Sequence, residues 1–307
     1  MTKVLVTGAL GFIGSAFLSF VSEKPDIVVH VVNHLQSETS QKNFGIWSSV
    51  LLHRLHIIDI EDYEPLARLI EKEQFDVVLH LAARAGVRNS SLHPRVYCRT
   101  NVDGTLNILE AVRLFSPHTR CIMASSSTVH GNPISSFYGL TKKMVEDIAE
   151  LYCRLHGLHI ACLRFFSVYG TDCRQDLLIG HILSSVQNNT PVTIFGDGSV
   201  RRDFTYIDDT LEAIYQTLHK KWSGYLVADI GTGENHSVVD VLNMIETFVP
   251  TPIDVLYTPR KKEDQAISKA HVENARKELN FETKVPLREG LKRCFLSMPC
   301  LSSSDNT

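Results

Sequence analysis

The sequence predicts an α/β fold: a doubly wound, mostly parallel sheet covered by helices, with a smaller carboxyl-terminal lobe. Three observations lead there. Short apolar runs alternate with helix-length segments through the first half of the chain, and parallel strands joined by crossover helices are the economical topology for that rhythm. A chain of 307 residues with 44% hydrophobic composition can bury one large core, or a core and a smaller lobe. After about Gly170 the rhythm becomes less regular, so residues 1–170 are expected to form the sheet domain and residues 171–300 mainly the second lobe, with some elements returning to the sheet. The terminal SSSDNT lacks apolar anchors, and residues 301–307 are expected to form a flexible tail.

Each apolar run of the first half suits a buried strand: KVLVT (Lys3–Thr7), IVVHVV (Ile27–Val32), LHIID (Leu55–Asp59), DVVLHLA (Asp76–Ala82), CIMAS (Cys121–Ser125) and IACLRFF (Ile160–Phe166). Between them, Arg99–Ser116 places Val102, Leu106, Leu109 and Val112 at helical steps, and the segment from Tyr138 does the same with Leu140, Met144, Ile148, Leu151 and Leu155 before Gly157 offers a stop. Both helices are expected to face the sheet, their other faces being available to a dimer interface. Beyond Gly170, QDLLIGHILSSVQNN, DDTLEAIYQTLHK, SVVDVLNMIETFV, VENARKELNF and LREGLKRCF read as helices, the second opening on an aspartate suited to capping. PVTIF, YLVADIG and IDVLYTP read as strands.

With 31 Lys and Arg against 34 Asp and Glu, the formal charge is -3 and no long basic run occurs, so neither nucleic acid nor a membrane surface is an expected partner. The cysteines Cys98, Cys121, Cys153, Cys162, Cys173, Cys294 and Cys300 have no paired metal-ligand spacing, and no metal is expected. The N-terminus opens on a strand-like run instead of a signal peptide, and no window approaches the roughly eighteen apolar residues of a spanning helix. A reducing, cytoplasmic setting is the expectation.

VLVTGALGFIGSAFLSFV sets Gly8, Gly11 and Gly14 between the first strand and the first helix, in GxxGxxG spacing. Alone, such a trio can be a mere turn. A strand before it and an apolar helix after it point to dinucleotide binding, with Gly8, Gly11, Phe12, Ile13 and Gly14 around the pyrophosphate. Asn33 stands at the end of the second strand, where a carboxylate usually accepts the adenosine-ribose hydroxyls of NAD. Asparagine can bond the same hydroxyls without repelling a 2′-phosphate, but no arginine follows at once to hold one, so NAD is preferred to NADP. Asp59 and Ile60 after the third strand suit either an adenine edge or a strand end with a helix cap. Leu81, Ala82 and Ala83 fall at the carboxyl end of the fourth strand, where cofactors bind in this topology.

YGLTK places Tyr138 and Lys142 four residues apart on one helix face. Such pairs are common on solvated faces, and nothing within these residues separates that reading from a proton-transfer device. ASSSTVHG adds Ser126 after the fifth strand, in a serine cluster that could otherwise just satisfy backbone groups.

Together TGALGFIG, HLAARAGVRNS, NVDGTLNILEA, SSSTVHG, YGLTK, LRFFSVYG, GDGSVRRDFTYIDD and PRKKED resemble the extended short-chain dehydrogenase/reductase superfamily, particularly its nucleotide-sugar 4-epimerases and most closely the UDP-glucuronate 4-epimerases. The matching stretches run from the first strand to about Leu291. The resemblance implies a Rossmann-like domain and a homodimer built on the helices beginning near Asn101 and Tyr138. It implies that Tyr138 is the acid/base, that Lys142 lowers its pKa and holds the nicotinamide ribose, and that Ser126 bonds the sugar's C4 oxygen. Phe165 joins the cofactor residues. A phenol of pKa about 10 is protonated at neutral pH, whereas a neighbouring ammonium and an oxidised nicotinamide favour the phenolate. The implied reaction is oxidation at C4 by NAD, rotation of the 4-ketose, and return of the hydride to its other face.

By the same resemblance Arg202 and Arg260 contact the nucleotide diphosphate, and Asp264 the nucleotide ribose. Ser127 and Thr128, assigned to substrate, stand where 4,6-dehydratases carry an Asp-Glu pair, and neither is a strong acid or base, which disfavours elimination. Ser167 and Arg174 match the small hydroxyl residue and the arginine seven positions later of uronate 4-epimerases, a clamp for the sugar carboxylate that opposes decarboxylation of the ketouronate. Arg88 is a further matching basic residue that either touches the sugar or braces a loop. UDP-glucuronate to UDP-galacturonate is the first expectation. UDP-glucose or UDP-N-acetylglucosamine 4-epimerisation, a related decarboxylase or reductase, and a dinucleotide-binding regulatory protein without turnover are the alternatives. Two departures bear on the sugar. Tyr138 comes only twelve positions after Ser126, and His130 stands at the tyrosine of the VYG pattern. A more open pocket, a different sugar and a weaker reaction are the readings these leave open.

Overall fold

The structure, a computed structural model, describes residues 1–249, 252–260, 263 and 265–298. It divides into two compact units, one of Met1–Arg164 with Ala213–Ala228, the other of Phe165–Glu212 with the chain from Asp229 onward. In chain order the elements are β1 (Thr2–Thr7), α1 (Phe12–Val21), β2 (Ile27–Asn33), α2 (Glu38–Leu51), β3 (Leu55–Ile57), α3 (Tyr63–Glu73), β4 (Val77–His80), α4 (Val87–Leu92), α5 (Pro94–Cys98), a π-helical turn (Arg99–Asp103), α6 (Gly104–Phe115), β5 (Arg120–Ser126), α7 (Phe137–His156) and β6 (His159–Phe165). Then follow β7 (Val168–Tyr169), α8 (Leu178–Gln187), β8 (Val192–Phe195), β9 (Arg201–Arg202), β10 (Thr205–Tyr206), α9 (Ile207–His219), β11 (Tyr225–Ile230), β12 (His236–Ser237), α10 (Val238–Glu246), β13 (Val255–Thr258) and α11 (Leu287–Leu296).

Among the described residues seven strands form one sheet in the order β11-β6-β5-β4-β1-β2-β3. β1 pairs in parallel with β2 and β4, β2 with β3, and β4 with β5, so that Val4 lies opposite Val29 and Val77, Asn33 opposite Ile57, and His80 opposite Met123. The strand order runs outward from β1 in both directions, and the carboxyl ends of β1 and β4 meet at that switch point, the ligand crevice of open α/β sheets. All of β4 is buried, which is why Val77–Leu79 read as an apolar run without alternation, with His80 as the polar exception. Leu66 and Ile70 of α3 and Ile108, Leu109 and Val112 of α6 pack with Leu5, Val78 and Met123 of the sheet in one fully buried cluster.

Two expectations for the helices, the inward face of one and the start of another, need correction. On α7 the buried residues are Gly139, Thr141, Lys142, Val145, Glu146 and Ala149, whereas Met144, Leu151 and Leu155 of the apolar stripe are exposed, Leu155 by 65%. The polar residues take the inward positions because partners wait for them there, as described below. Helix α9 begins at Ile207 and not at a capping aspartate; the Asp209 carboxylate instead accepts the N–H groups of Lys284 (2.9 Å) and Val285 (3.1 Å).

In the second unit β7 pairs in parallel with β10 and β8 with β13, while β9 and β12 are antiparallel. Its best-satisfied polar group is Asp203, fully buried, whose carboxylate accepts N–H bonds from Thr232, Gly233 and Ala270 and the Thr232 hydroxyl at 2.8–3.0 Å. No helix among the described residues is long and apolar enough to cross a membrane, and no cluster of three or more His, Cys, Asp or Glu side chains among them suits a metal.

Candidate functional site

The glycine loop is shaped by contacts that exclude a side chain. Gly8 has φ +70°, and a Cβ there would lie 2.6 Å from the Ala82 nitrogen, so the loop rests directly on the chain leaving β4. A Cβ on Gly14 would lie 2.4 Å from the Gly8 carbonyl oxygen, which lets the first turn of α1 sit against the loop. Gly11, the N-cap of α1, offers no side-chain cap, and the first i→i−4 bond runs from Ser15 N–H to its carbonyl. The N–H groups of Phe12, Ile13 and Gly14 therefore precede the helical ladder, at an uncapped helix N-terminus suited to a pyrophosphate. Helix α2 braces the loop from outside: Asn43 Nδ2 donates to the Leu10 carbonyl at 2.9 Å and Trp47 Nε1 to Ser15 Oγ at 3.1 Å. Neither residue carries a signal in the sequence.

The other cofactor candidates of the first unit end the neighbouring strands. Asn33 closes β2, buried, with its amide nitrogen donating to the His34 carbonyl. Asp59 Oδ1 accepts the Glu61 N–H at 3.0 Å, and the cap of α3 is Asp62. Ile60 is buried against Gly104, where a Cβ would meet its Cδ1 at 2.6 Å. Leu81 N–H bonds the Thr7 carbonyl at 3.1 Å, and Ala82 and Ala83 follow, all partly exposed.

At the carboxyl end of β5, Ser126 Oγ accepts both the Thr128 N–H (3.2 Å) and the Thr128 hydroxyl (3.0 Å). Both lone pairs are thereby engaged, and what Ser126 has left to offer is its proton. Ser127 and Thr128 form the short 3-10 turn beyond it. A second such turn at Pro133–Ser135 completes the shortened connection, and Ser136 caps α7 by accepting the Gly139 N–H at 3.0 Å. Tyr138, in the first turn, is half-buried, its ring edge-on to Tyr97 with centroids 6.3 Å apart. Lys142 is buried and donates from Nζ to the Ala124 carbonyl at 2.7 Å, two residues before Ser126; burial lowers its pKa to about 8. One helix thus carries the phenol one turn before the ammonium, and the ammonium is bonded beside the strand end that bears the serine.

Two buried polar networks hold this arrangement. Ala82 N–H donates to Thr7 Oγ1 (3.4 Å), which lies 2.7 Å from His80 Nδ1; His80 Nε2 lies 3.1 Å from Thr105 Oγ1, which donates to the Asn101 carbonyl at 2.6 Å. Since the Thr105 proton is committed, Nε2 is the donor and Nδ1 the acceptor. Neutral His80 satisfies both neighbours, and burial together with the Lys142 charge pushes its pKa down to about 3. Asn101 Nδ2 then donates to Thr141 Oγ1 (3.0 Å), whose proton goes to the Tyr138 carbonyl (2.9 Å). The second network pairs Glu146 with Arg164: Nε and Nη2 donate at 2.8 and 2.7 Å, and Ser125 Oγ donates to the same carboxylate at 2.6 Å. Arg164 Nη1 lies 3.4 Å from His130 Nε2, so the histidine of the altered VYG pattern is part of this bracing. Sequence reasoning missed His80, Asn101, Thr105, Glu146 and Arg164. The one available signal was a histidine inside an otherwise apolar strand, VVLH.

Of the substrate candidates, Arg88 lies exposed on α4 in the first unit. Ser127 and Thr128 also belong to the first unit, and the rest of those described belong to the second. Ser167 follows β6 with φ +25°, a left-handed value uncommon for serine. The Arg174 guanidinium forms a two-point ion pair with Asp176 at 2.9 and 2.5 Å. Arg202 on β9 donates to the Arg201 carbonyl at 2.9 Å, and the Arg260 side chain lies against Gly196. Phe165 ends β6, buried. Asp264, like residues 301–307, lies outside the described residues.

Comparison with known proteins narrows the chemistry. The chain is 33% identical to a UDP-glucuronate 4-epimerase of Thermodesulfobacterium geofontis over 311 residues, 95% of either chain. The solved UDP-glucuronic acid 4-epimerase of Bacillus cereus, in complex with UDP-glucuronic acid and NAD, superposes with a TM-score of 0.87 at 30% identity, covering 96% of this chain and 98% of that one. MoeE5, solved with UDP-glucuronic acid and NAD and also with UDP-glucose and NAD, gives TM-scores of 0.85 and 0.84 at 30% identity, covering 96% of this chain and 98% and 97% of those. The profile of one family spans residues 4–228, from β1 through the glycine turn and the Tyr138–Lys142 helix into β11, and on that match the chain belongs to the NAD dependent epimerase/dehydratase family.

Proposed function

We propose that the chain is an NAD-dependent 4-epimerase of UDP-sugars whose substrate is UDP-glucuronate. The observation that carries the reading is Lys142: a buried ammonium donor on the face of α7 that also bears Tyr138, bonded beside the strand end of Ser126. A lysine costs free energy to bury, and this one is charged at neutral pH, poised to favour a phenolate next to it. Gly8, Gly11 and the N–H groups of Phe12, Ile13 and Gly14 hold the dinucleotide pyrophosphate, Asn33 the adenosine ribose, Asp59 and Ile60 the adenine, Leu81, Ala82 and Ala83 the carboxyl-end crevice, and Lys142 the nicotinamide ribose. Bound there, NAD supplies a hydride acceptor that can return what it takes. Tyr138 takes the proton of the C4 hydroxyl and later gives it back, and Ser126 donates its remaining hydrogen bond to the C4 oxygen. Arg202 and Arg260 are assigned to the diphosphate, Ser167 and Arg174 to the sugar carboxylate, and Arg88 to the sugar.

UDP-glucose is the second reading, favoured by one observation: Arg174 already has a carboxylate partner in Asp176, which a sugar carboxylate must displace or share. The names of the relatives and the Ser167–Arg174 spacing support glucuronate. The purified chain is to be incubated with UDP-glucuronate and with UDP-glucose, and the products separated by chromatography and identified by co-migration with authentic 4-epimers. UDP-galacturonate forming faster than UDP-galactose, with Arg174→Ala selectively slowing the former, supports the reading; the opposite preference removes the uronate assignment. We also propose a homodimer, because Phe137, Met144, Leu151 and Leu155 of α7 and Leu114 of α6 leave an apolar surface that a second copy can cover.

A further inference from the structure

We infer that Tyr97, a residue of α5, is a positioning residue that sets both the ring of Tyr138 and the chain leading to Arg88; this rests on the epimerase reading above. Tyr97 is buried, yet no step of the reaction uses it. Its hydroxyl lies 2.9 Å from the Ala85 carbonyl and 3.0 Å from the Gly86 carbonyl, one proton shared between two successive acceptors. Those residues lead directly into α4, which begins at Val87 and carries Arg88. Gly86 makes the approach feasible: its φ of +114° is open to glycine, and a Cβ there would sit 3.5 Å from the Tyr97 oxygen. The preceding residue is pinned separately, since the Asn101 side chain exchanges two bonds with the Arg84 backbone at 2.8 and 3.1 Å. Residues 84–86 are thus clasped by Asn101 at one end and Tyr97 at the other.

The ring of Tyr97 meets the ring of Tyr138 at an interplanar angle of 78° with centroids 6.3 Å apart, an edge-to-face contact. Helix α7 and the Thr141 bond fix the Tyr138 backbone but not its side-chain torsions, and a half-buried ring retains more than one rotamer unless a neighbour selects one. Tyr97 supplies that neighbour from a rigid, buried position. Its two roles reside in different atoms: the ring acts on the acid/base, the hydroxyl on the 85–88 segment.

Substitution separates them. Tyr97→Phe keeps the ring and drops the hydroxyl; kcat should stay within about twofold of wild type while KM for the UDP-sugar rises about threefold or more. Tyr97→Leu and Tyr97→Met remove the ring, and kcat should fall about three- to tenfold per folded, NAD-loaded molecule. Circular dichroism and bound-NAD content set that normalisation. UDP-glucuronate and UDP-glucose are the probes. If a non-aromatic variant does not fold, Tyr97→Phe still decides, because a kcat loss in it contradicts the ring assignment. Wild-type kcat in Tyr97→Leu or Tyr97→Met, or an unchanged KM in Tyr97→Phe, overturns the inference alone. A wild-type chain that converts neither UDP-sugar overturns the epimerase reading and this assignment with it.

Discussion

Removing the charge of Glu146 tests how helix α7 is held. Glu146 is buried, bonded at two points by Arg164 of β6 and once by Ser125 of β5. Glu146→Gln preserves shape but leaves the Arg164 cation without its counter-charge and turns an amide N–H₂ toward a donor. Breaking one side of a buried pair typically costs about 3–5 kcal/mol. The Arg164 side chain retains 21% exposure, and water screens part of the loss, so the lower figure, about 3 kcal/mol, is expected here. Against a total stability of about 5–15 kcal/mol, and with an unfolding entropy of about 2.1 cal/mol/K per residue, that corresponds to a melting temperature lower by about 5 °C. The triple change Ser125→Ala, Glu146→Leu, Arg164→Met removes the carboxylate together with both groups that donate to it and should recover most of the loss, since an apolar replacement of a buried pair leaves no orphaned charge. Urea unfolding at neutral pH reads both. A Glu146→Gln variant within 1 kcal/mol of wild type, or a triple variant no better than the single, refutes the reasoning.

Four further outcomes follow from the geometry. Gly8→Ala puts a Cβ against the Ala82 nitrogen at positive φ and should weaken NAD binding at least about tenfold, read by calorimetry; unchanged affinity contradicts the loop account. The folded-state pKa of His80, about 3, lies below the 6.5 of an unfolded histidine, so the unfolded chain binds the extra proton between those values. Its stabilisation is complete above about pH 6.5 and is lost as pH falls, by about 2 kcal/mol at pH 5, a slope that His80→Asn should remove from acid denaturation curves. Turnover should decline as pH rises through about 8, where buried Lys142 loses its proton; a rate undiminished to pH 9.5 contradicts the ammonium's role. Light scattering should give a dimer, and Leu151→Glu a monomer; a wild-type monomer contradicts the proposed interface.

The sheet was legible in the sequence because strands buried on both faces leave unbroken apolar runs, as in KVLVT and DVVLHLA. The glycine trio was legible because a strand and an apolar helix flank it. Helix α7 was read with an inward stripe of which Ile148 packs on the core while Met144, Leu151 and Leu155 are exposed. Apolar periodicity cannot tell a stripe that meets the sheet from one left on the surface, and here Lys142 and Glu146 hold the inward positions through bonds to Ala124, Ser125 and Arg164. The bracing of the candidate site was legible only in the histidine that closes VVLH. The links from Thr7 to His80, from His80 to Thr105 and from Asn101 to Thr141 join residues 73, 25 and 40 positions apart, and no local pattern encodes such partners. The Asp176 partner of Arg174 was two residues away in plain view, but only side-chain geometry reveals that the two are bonded.

The central claim is reversible oxidation at C4 by a retained cofactor, with Tyr138 moving the proton. It is tested most directly with UDP-glucuronate carrying deuterium at C4, incubated with the purified chain in ordinary water. The account predicts UDP-galacturonate that keeps its deuterium at C4, no net NADH, and at least about a hundredfold lower rate in folded Tyr138→Phe. Loss of the label to solvent, or near-wild-type conversion by Tyr138→Phe, contradicts it.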